Sequence, residues 1–404
     1  MKQLFKPFYA FVLGFAILLP GLAQAQDTEK EKKDEGYNFT IVKEVKATPV
    51  KNQYKSGTCW SFSTVAFFES ELIRMGKGEY DLSDMWFVRK AYEEKAAKYV
   101  RMHGTINFSG GGAAHDIPHL WKNYGVVPEE VYSGLNYGEV KHDHGEFDKV
   151  LKNYLKPLIE DDVKKLTTAW LRGFNGILDA YLGKTPENFT YKGKSYTPQS
   201  FAKELGINPD DYIEISSFSH HPFYSKFILE VPDNWAQGEV YNVPMEDIKA
   251  ILANAINNGY SIAWGADVSE KGFSWRNGIA VVPDEDKPEI QGTERDKWEK
   301  LSEKEKLAQL YKFDKPVKEK VITQEMRQQQ FDNFQTTDDH GMQIVGIAKD
   351  QNGNTFYKVK NSWDVDNKYQ GYFYASEAFV LLKTMDIMIH KDAVPKDIRK
   401  KLGF

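Results

Sequence analysis

A chain of 404 residues with 41% hydrophobic and 14% aromatic content has the apolar material for a large core, as two domains or as one with insertions, and is not a disordered segment. Its mild net charge of −5 argues against a nucleic-acid face, which needs clustered basic residues. With one cysteine there is no internal disulfide, so the thiol is either a small buried hydrophobe or a reactive group.

Residues 1–25 read as an export signal. Lys2 and Lys6 give a positive start, "FYAFVLGFAILLPGLA" an apolar run too short and too broken by Pro20 to anchor the chain, and "AQA" (Ala23 to Ala25) a small-residue cleavage site. The expectation is a mature chain starting near Gln26, exported to a bacterial periplasm or the medium, with no membrane contact once the signal is removed. Residues 26–49 hold a charged leader, "QDTEKEKKDEG", and a strand-like lead-in.

Residues 50–136 are expected to form a helical subdomain. A helix starts near Trp60, with Val65, Phe68 and Leu72 on one face and Gly76 at its end. The glycine loop "SGGGAAHD" follows, then a short helix stopped by Gly125 and Pro128. Residues 137–259 read as a mostly helical insertion. Residues 260–404 read as an antiparallel β-barrel subdomain, interrupted at about 284–330 by a charged helical insert whose Lys/Glu alternation suits a solvated face. Ser302 and Glu305 form a capping-box pattern there. "SIAWGADV" is a strand, and "MQIVGIA" and "TFYKVKN" are two more, joined by "KDQNG" as a hairpin. The fold class is therefore α+β.

That hairpin brings His340, ahead of its first strand, and Asn361, at the end of its second, to one end. An amide there fixes a histidine's tautomer and ring orientation. The missing partner is a nucleophile, and "VKNQYKSGTCWSFS" supplies Cys59 at a helix start. The helix dipole and a nearby imidazolium favour a thiolate, so the thiol is expected to be lowered. Gln53, six residues earlier, has an amide suited to an oxyanion, beside the backbone N–H of Cys59. Gly57 allows the tight turn, and Trp60 begins the helix that aims the thiol.

"TPVKNQ", "SGTCWSF", "DDHGMQIVGI" and "VKNSWD" together resemble the papain-type cysteine peptidases. "GGGAAHDIPHLWKNYGVVPEEVY", "YTPQSFAKELGI", "WGADV", "TTDDHGM" and "VPKDIRKKL" are similar to the bleomycin hydrolase and aminopeptidase C branch. The resemblance implies a papain-like fold. It implies an oxyanion role for Gln53, a nucleophile at Cys59, a base at His340 and an orienting amide at Asn361. Trp363 would shield the Asn–His bond, Trp60 would support the thiol, and Gly111 and Gly112 would bind the substrate backbone. It also implies peptide substrates, no cofactor, and a homo-hexameric ring. Two departures are Thr58 before the cysteine and Gly341, where the family often has Ala. A third concerns the end: in the branch a tail carries its terminal carboxylate into the cleft to hold the substrate's amino terminus, whereas this sequence stops two residues past Leu402. Phe404 already near the cleft, an acidic side chain in its stead, or an open cleft with endopeptidase cleavage all fit. A non-catalytic binding protein on the same fold is the reading from a different class. His115 and His119 have helical ligand spacing without a third ligand, which favours a surface or packing role and no metal. His142, His144, His220 and His221 read as loop histidines, and Asp338 and Asp339 as a solvated turn in preference to groups that tune His340.

Overall fold

The computed structural model describes residues 36–160, 163–285 and 300–404. The segments expected to be the export signal and most of the charged leader lie outside these, as does part of the charged insert. No described helix is long and apolar enough to cross a membrane.

The helical half is built on α1 (Cys59–Arg74), α2 (Asp84–Arg101) and α3 (Asp116–Tyr124). Helix α1 is buried on nearly every face, since it lies between the other helices and the sheet. Ser83 caps α2 by accepting from Trp86 N, and Gly125, at φ +70°, ends α3. α4 (Gly145–Leu155), α5 (Ala169–Leu182) and α6 (Pro198–Leu205) complete this half, and Phe147, Phe174 and Phe201 join the same core as Phe68 and Trp121. Thr197 and Ser200 form a reciprocal capping box on α6.

The strands are β1 (Thr40–Glu44), the small hairpin β2 (Phe189–Tyr191) and β3 (Lys194–Tyr196), β4 (Tyr212–Ser216), β5 (Lys226–Ile228), β6 (Glu239–Asn242), β7 (Ile262–Ala266), β8 (Phe273–Ser274), β9 (Ile279–Ala280), β10 (His340–Lys349), β11 (Thr355–Lys360), β12 (Tyr372–Ser376) and β13 (Thr384–His390). Eleven of them form one sheet in the order β5-β6-β4-β13-β7-β10-β11-β12-β9-β8, with β1 also on β10. All its pairs are antiparallel except β4–β6 and β12–β9. The expected barrel does not close. Closure needs the two end strands to pair, and here the ends are the three-residue β5 and the two-residue β8, which do not pair. Strands β4 to β6 extend one edge instead.

α7 (Met245–Asn257), α10 (Glu377–Lys383) and α11 (Lys396–Leu402) cover the sheet through Ile251, Phe379 and Ile398. Between them in sequence, α8 (Glu303–Leu310) has the Ser302–Glu305 capping box, and α9 (Gln324–Asp332) inserts Arg327 into the interior. The insert is therefore more than a solvated face. In the β10–β11 hairpin, Gly353 alone of the Asn-Gly pair takes positive φ (+83°), and Asp350 accepts the N–H groups of Asn352 and Asn354. At its other end this hairpin carries His340 and Asn361.

His142 and His144 lie in the loop before α4, but they are buried, the first edge-on to Phe62 and the second edge-on to Phe147. Neither nitrogen of His144 has a partner among the described residues. Burial pushes both imidazoles down to about 4. An unfolded histidine binds its proton near pH 6.5, so between pH 6.5 and about 4 the unfolded chain holds more protons than the native one, and stability falls with pH across that window by up to about 3 kcal/mol per ring. Carboxyls raised by burial act in the opposite direction, so the test is comparative: His144→Leu should lose less Tm between pH 7 and pH 5 than the parent chain. Equal losses would remove His144 from the account.

Candidate active site

Cys59 starts α1, and Thr58 makes no side-chain cap there. Thr58 O accepts from the N–H groups of Ser61 and Phe62, which leaves the Cys59 N–H without a partner among the described residues. Strand β10 runs directly against this helix start. A Cβ at Gly341 would lie 3.2 Å from Trp60 Cα, 3.3 Å from the Cys59 carbonyl carbon and 2.7 Å from Ser63 Oγ. The glycine therefore permits the close approach, and its N–H and that of Trp60 reach the thiol.

His340 Nε2 lies 2.7 Å from Asn361 Oδ1, and both residues are buried. The same Asn361 atom accepts the Ser362 N–H at 2.7 Å, so it is the amide oxygen. Nε2 must then donate, and Nδ1 is left as the basic nitrogen. Trp363 lies over the imidazole at 4.5 Å between ring centroids, with the edges of Phe273 and Trp275 against it.

Gln53 is buried and held at both ends. Its Nε2 donates to Ser56 O at 2.8 Å, its Oε1 accepts from Ser362 Oγ at 2.6 Å, and its backbone N–H donates to Ser362 O. One amide proton remains uncommitted. The residue lies on the cysteine turn and not in the wall of the cavity that holds Cys59 and His340.

That cavity, about 280 Å³, is lined by Cys59, Trp60, His340, the 109–114 loop, β7 and Asp386. Trp60 Nε1 donates to Gly110 O at 3.0 Å, and Gly57 and Gly110 touch backbone to backbone. Lys95, buried beneath, donates to Ser109 O at 2.9 Å and to Gly111 O. Gly111 N–H turns back to Ser109 Oγ. Both polar groups of Gly111 are thus engaged, whereas those of Gly112 have no partner among the described residues. Gly112 is the glycine left available for a ligand's backbone.

A family profile described as "Peptidase C1-like family" matches residues 12–283 and 292–403. The chain belongs to the Peptidase C1-like family. It is a papain-like cysteine peptidase. Aminopeptidase C of Lactococcus lactis subsp. cremoris is 23% identical, over 86% of this chain and 82% of its own. Bleomycin hydrolase of Mus musculus is 22% identical, over 87% and 82%. The crystal structure of pepW from Lactobacillus rhamnosis HN001 superposes with a TM-score of 0.66 at 20% identity, covering 90% of this chain and 84% of that one, which shows the same fold.

The electrostatics of this peptidase site depart from the sequence expectation. Burial pushes the Cys59 thiol up to about 12, and the carboxylates of Asp338 and Asp233 push the same way against the Gly341 and Trp60 N–H groups. Burial also lowers His340, against the pull of Asn361 and Asp339. Both shifts favour the thiol and neutral imidazole over the ion pair in the unliganded site.

Asp233, Glu214 and Asp386 of the site were not singled out from sequence, and other charged residues there take places that differ from their sequence readings. Asp339 is tied to Val268 N and Ser269 Oγ, while Asp338 is half-buried in the cavity wall and pushed up to about 7 by burial and by Asp233, Glu214, Asp339 and Asp267. Asp338 therefore departs from the solvated reading, whereas Asp339 is exposed and acts on His340. His115 bonds Glu214 through Nδ1 at 2.5 Å and is raised to about 10, because Glu214 and Asp116 outweigh its burial. Asp233 accepts from Asn107 and Ser109 and occupies the space a Gly111 side chain would need. His119 bonds Glu94, and His220 and His221 converge on Glu230 outside the cavity.

Proposed function

We propose that this peptidase acts as an aminopeptidase through a thioester acyl-enzyme. The observation that carries the chemistry is the fixed His340–Asn361 pair, whose free Nδ1 shares one cavity with Cys59. In this reading His340 Nδ1 takes the Cys59 proton as sulfur attacks the carbonyl carbon. The proton then passes to the leaving amine, and the same nitrogen activates water to break the thioester. The Cys59 N–H and the uncommitted Gln53 amide proton face the developing oxyanion. Gly112, with Gly111 held from below, lies along the substrate backbone. The shifts that favour a neutral pair fit proton transfer accompanying attack. The branch-level activity is supported by the names of the relatives above.

Expected results are release of amino-terminal residues from peptides and irreversible inactivation by E-64 with one adduct per chain, on Cys59. A chain that neither cleaves peptides nor takes the adduct would instead be a binding protein on this fold. Export is proposed alongside, from the pattern in residues 1–25. Cell fractionation and N-terminal sequencing should give a chain starting near Gln26 outside the cytoplasm, and an intact Met1 on cytoplasmic protein would rule this out.

A further inference from the structure

Three strands place a row of residues side by side under the nucleophile. Gly341 of β10 pairs with Gly265 of β7, and Gly265 pairs with Asp386 of β13. Residues paired across a sheet point to the same face. Cys59 and Trp60 lie on Gly341, and the Asp386 carboxylate lies over Gly265, where a Cβ would be 2.8 Å from its Oδ2. The two glycines leave open the space between thiol and acid. The acid's strand is two strand spacings, roughly 10 Å, from the strand under the thiol.

Asp386 is 7% exposed and lines the cavity. Among the described residues its carboxylate receives no N–H donor, and another acid, Glu214, stands beside it. Glu214 is 5% exposed, gives Oε2 to His115 and leaves Oε1 buried without a partner. The cations nearby bond elsewhere. His115 Nδ1 bonds Glu214, and Arg327 of α9, whose charge acts on Asp386, donates through Nε and Nη1 to the carbonyls of Ser217 and Leu381; His115 Nε2 and Arg327 Nη2 make no hydrogen bond to Asp386. Asp338 faces the same space from the loop before β10. A buried carboxyl aimed into a cavity keeps its proton, here beside Glu214, until a cation takes the proton's place. Burial and the adjacent Glu214 and Asp338 push Asp386 well above the usual carboxylate range, consistent with a site awaiting one.

We infer that Asp386, with Asp338 beside it, binds the α-ammonium group of the substrate's first residue. This rests on the peptidase reading above and names the device that selects a free amino terminus. The α-nitrogen is two bonds from the carbonyl carbon that Cys59 attacks, and the Asp386 carboxylate, lying over Gly265, stands one strand spacing, about 5 Å, from the Gly341 position under the thiol, within reach of the ammonium of a residue bound there. The 280 Å³ cavity falls just below the range of about 300–1,000 Å³ that houses drug-sized ligands, which suits one residue better than an extended peptide.

The test compares leucyl-, acetyl-leucyl- and acetyl-arginyl-leucyl-aminomethylcoumarin on the full chain and on Asp386→Asn and Asp338→Asn. The parent chain should prefer the free amine strongly. Asp386→Asn should lower kcat/KM for leucyl-aminomethylcoumarin about a hundredfold, the scale of removing one partner of a buried charge pair, and Asp338→Asn should lower it less. Cleavage of the acetylated substrates should not fall, and iodoacetamide should alkylate Cys59 of Asp386→Asn at the parent rate. Unchanged free-amine cleavage, or an equal loss on all three substrates, would overturn the inference. A loss confined to acetyl-arginyl-leucyl-aminomethylcoumarin would assign the pocket to a basic side chain instead. A parent chain that cleaves acetyl-leucyl as well as leucyl substrate would sink the inference and leave the peptidase reading intact. Cleavage of none of the three would remove both.

Discussion

Cys59→Ala is expected to remove peptide hydrolysis, with kcat falling by several orders of magnitude, on the scale of a nucleophile lost from a unit of interdependent groups. The fold should survive. Cys59 is only half-buried at the helix start, and the hydrogen bonds that end α1 there run between backbone groups of Thr58, Ser61 and Phe62. Far-UV circular dichroism and Tm near the parent values, with no turnover, are the expected pair of results. Substantial residual turnover would falsify the assignment of Cys59. His340→Ala should be nearly as damaging, since a thiol raised to about 12 has no other base to take its proton. Asn361→Ala should cost less. Trp363 still covers the ring at 4.5 Å, so His340 keeps part of its orientation after the Nε2 bond is lost.

The local parts of this arrangement are legible in the sequence because each is written in one short stretch. The 3.6-residue spacing of Val65, Phe68 and Leu72 gives α1. A hairpin with its turn at Asn352-Gly353 must return Asn361 to the end that holds His340. The open sheet is less legible, because closure depends on whether the strands at the two ends pair, and no local pattern records that. The acidic row is hidden for the same reason: Glu214 and Asp386 are 172 positions apart in sequence and meet only when β4 pairs with β13. A faint signal exists in each strand, a lone acid in an apolar run, "YIEIS" and "MDIMI". A charge that a strand carries into the core needs a partner or a ligand. Gly341 shows the converse. Against the family pattern it looks like a small change, yet its missing Cβ is what lets β10 lie on the helix start.

Glu69→Ala is expected to be the most destabilising single change in the framework behind the site. Helix α1 buries Glu69 completely. Its Oε2 accepts from Thr48 Oγ1 at 2.5 Å, and its Oε1 accepts from Leu82 N at 2.8 Å and Lys51 Nζ at 3.2 Å. Lys51 also holds Leu82 O, Asp84 and Asp81, and Lys360, whose ammonium burial lowers to about 8, donates to Thr48 at 3.0 Å. One carboxylate thus joins the lead-in to the cysteine turn, α1, the start of α2 and the end of β11. Removing it leaves Lys51 and Lys360 with less compensation and the Leu82 N–H with none. Breaking a buried pair on one side costs about 3–5 kcal/mol, a large share of a total stability of about 5–15 kcal/mol. Glu69→Gln keeps the shape and one acceptor, so it should cost less. Both variants should also lose kcat at temperatures where they remain folded. Lys51 is two residues from Gln53, and Lys360 adjoins Asn361, so a loosened hub shifts the oxyanion amide and the imidazole's anchor together. Urea unfolding followed by tryptophan fluorescence measures the first effect, and turnover at low temperature the second. A Glu69→Ala chain within about 0.5 kcal/mol of the parent, the scale of an ordinary surface substitution, would show that the cluster is not what holds these segments in register.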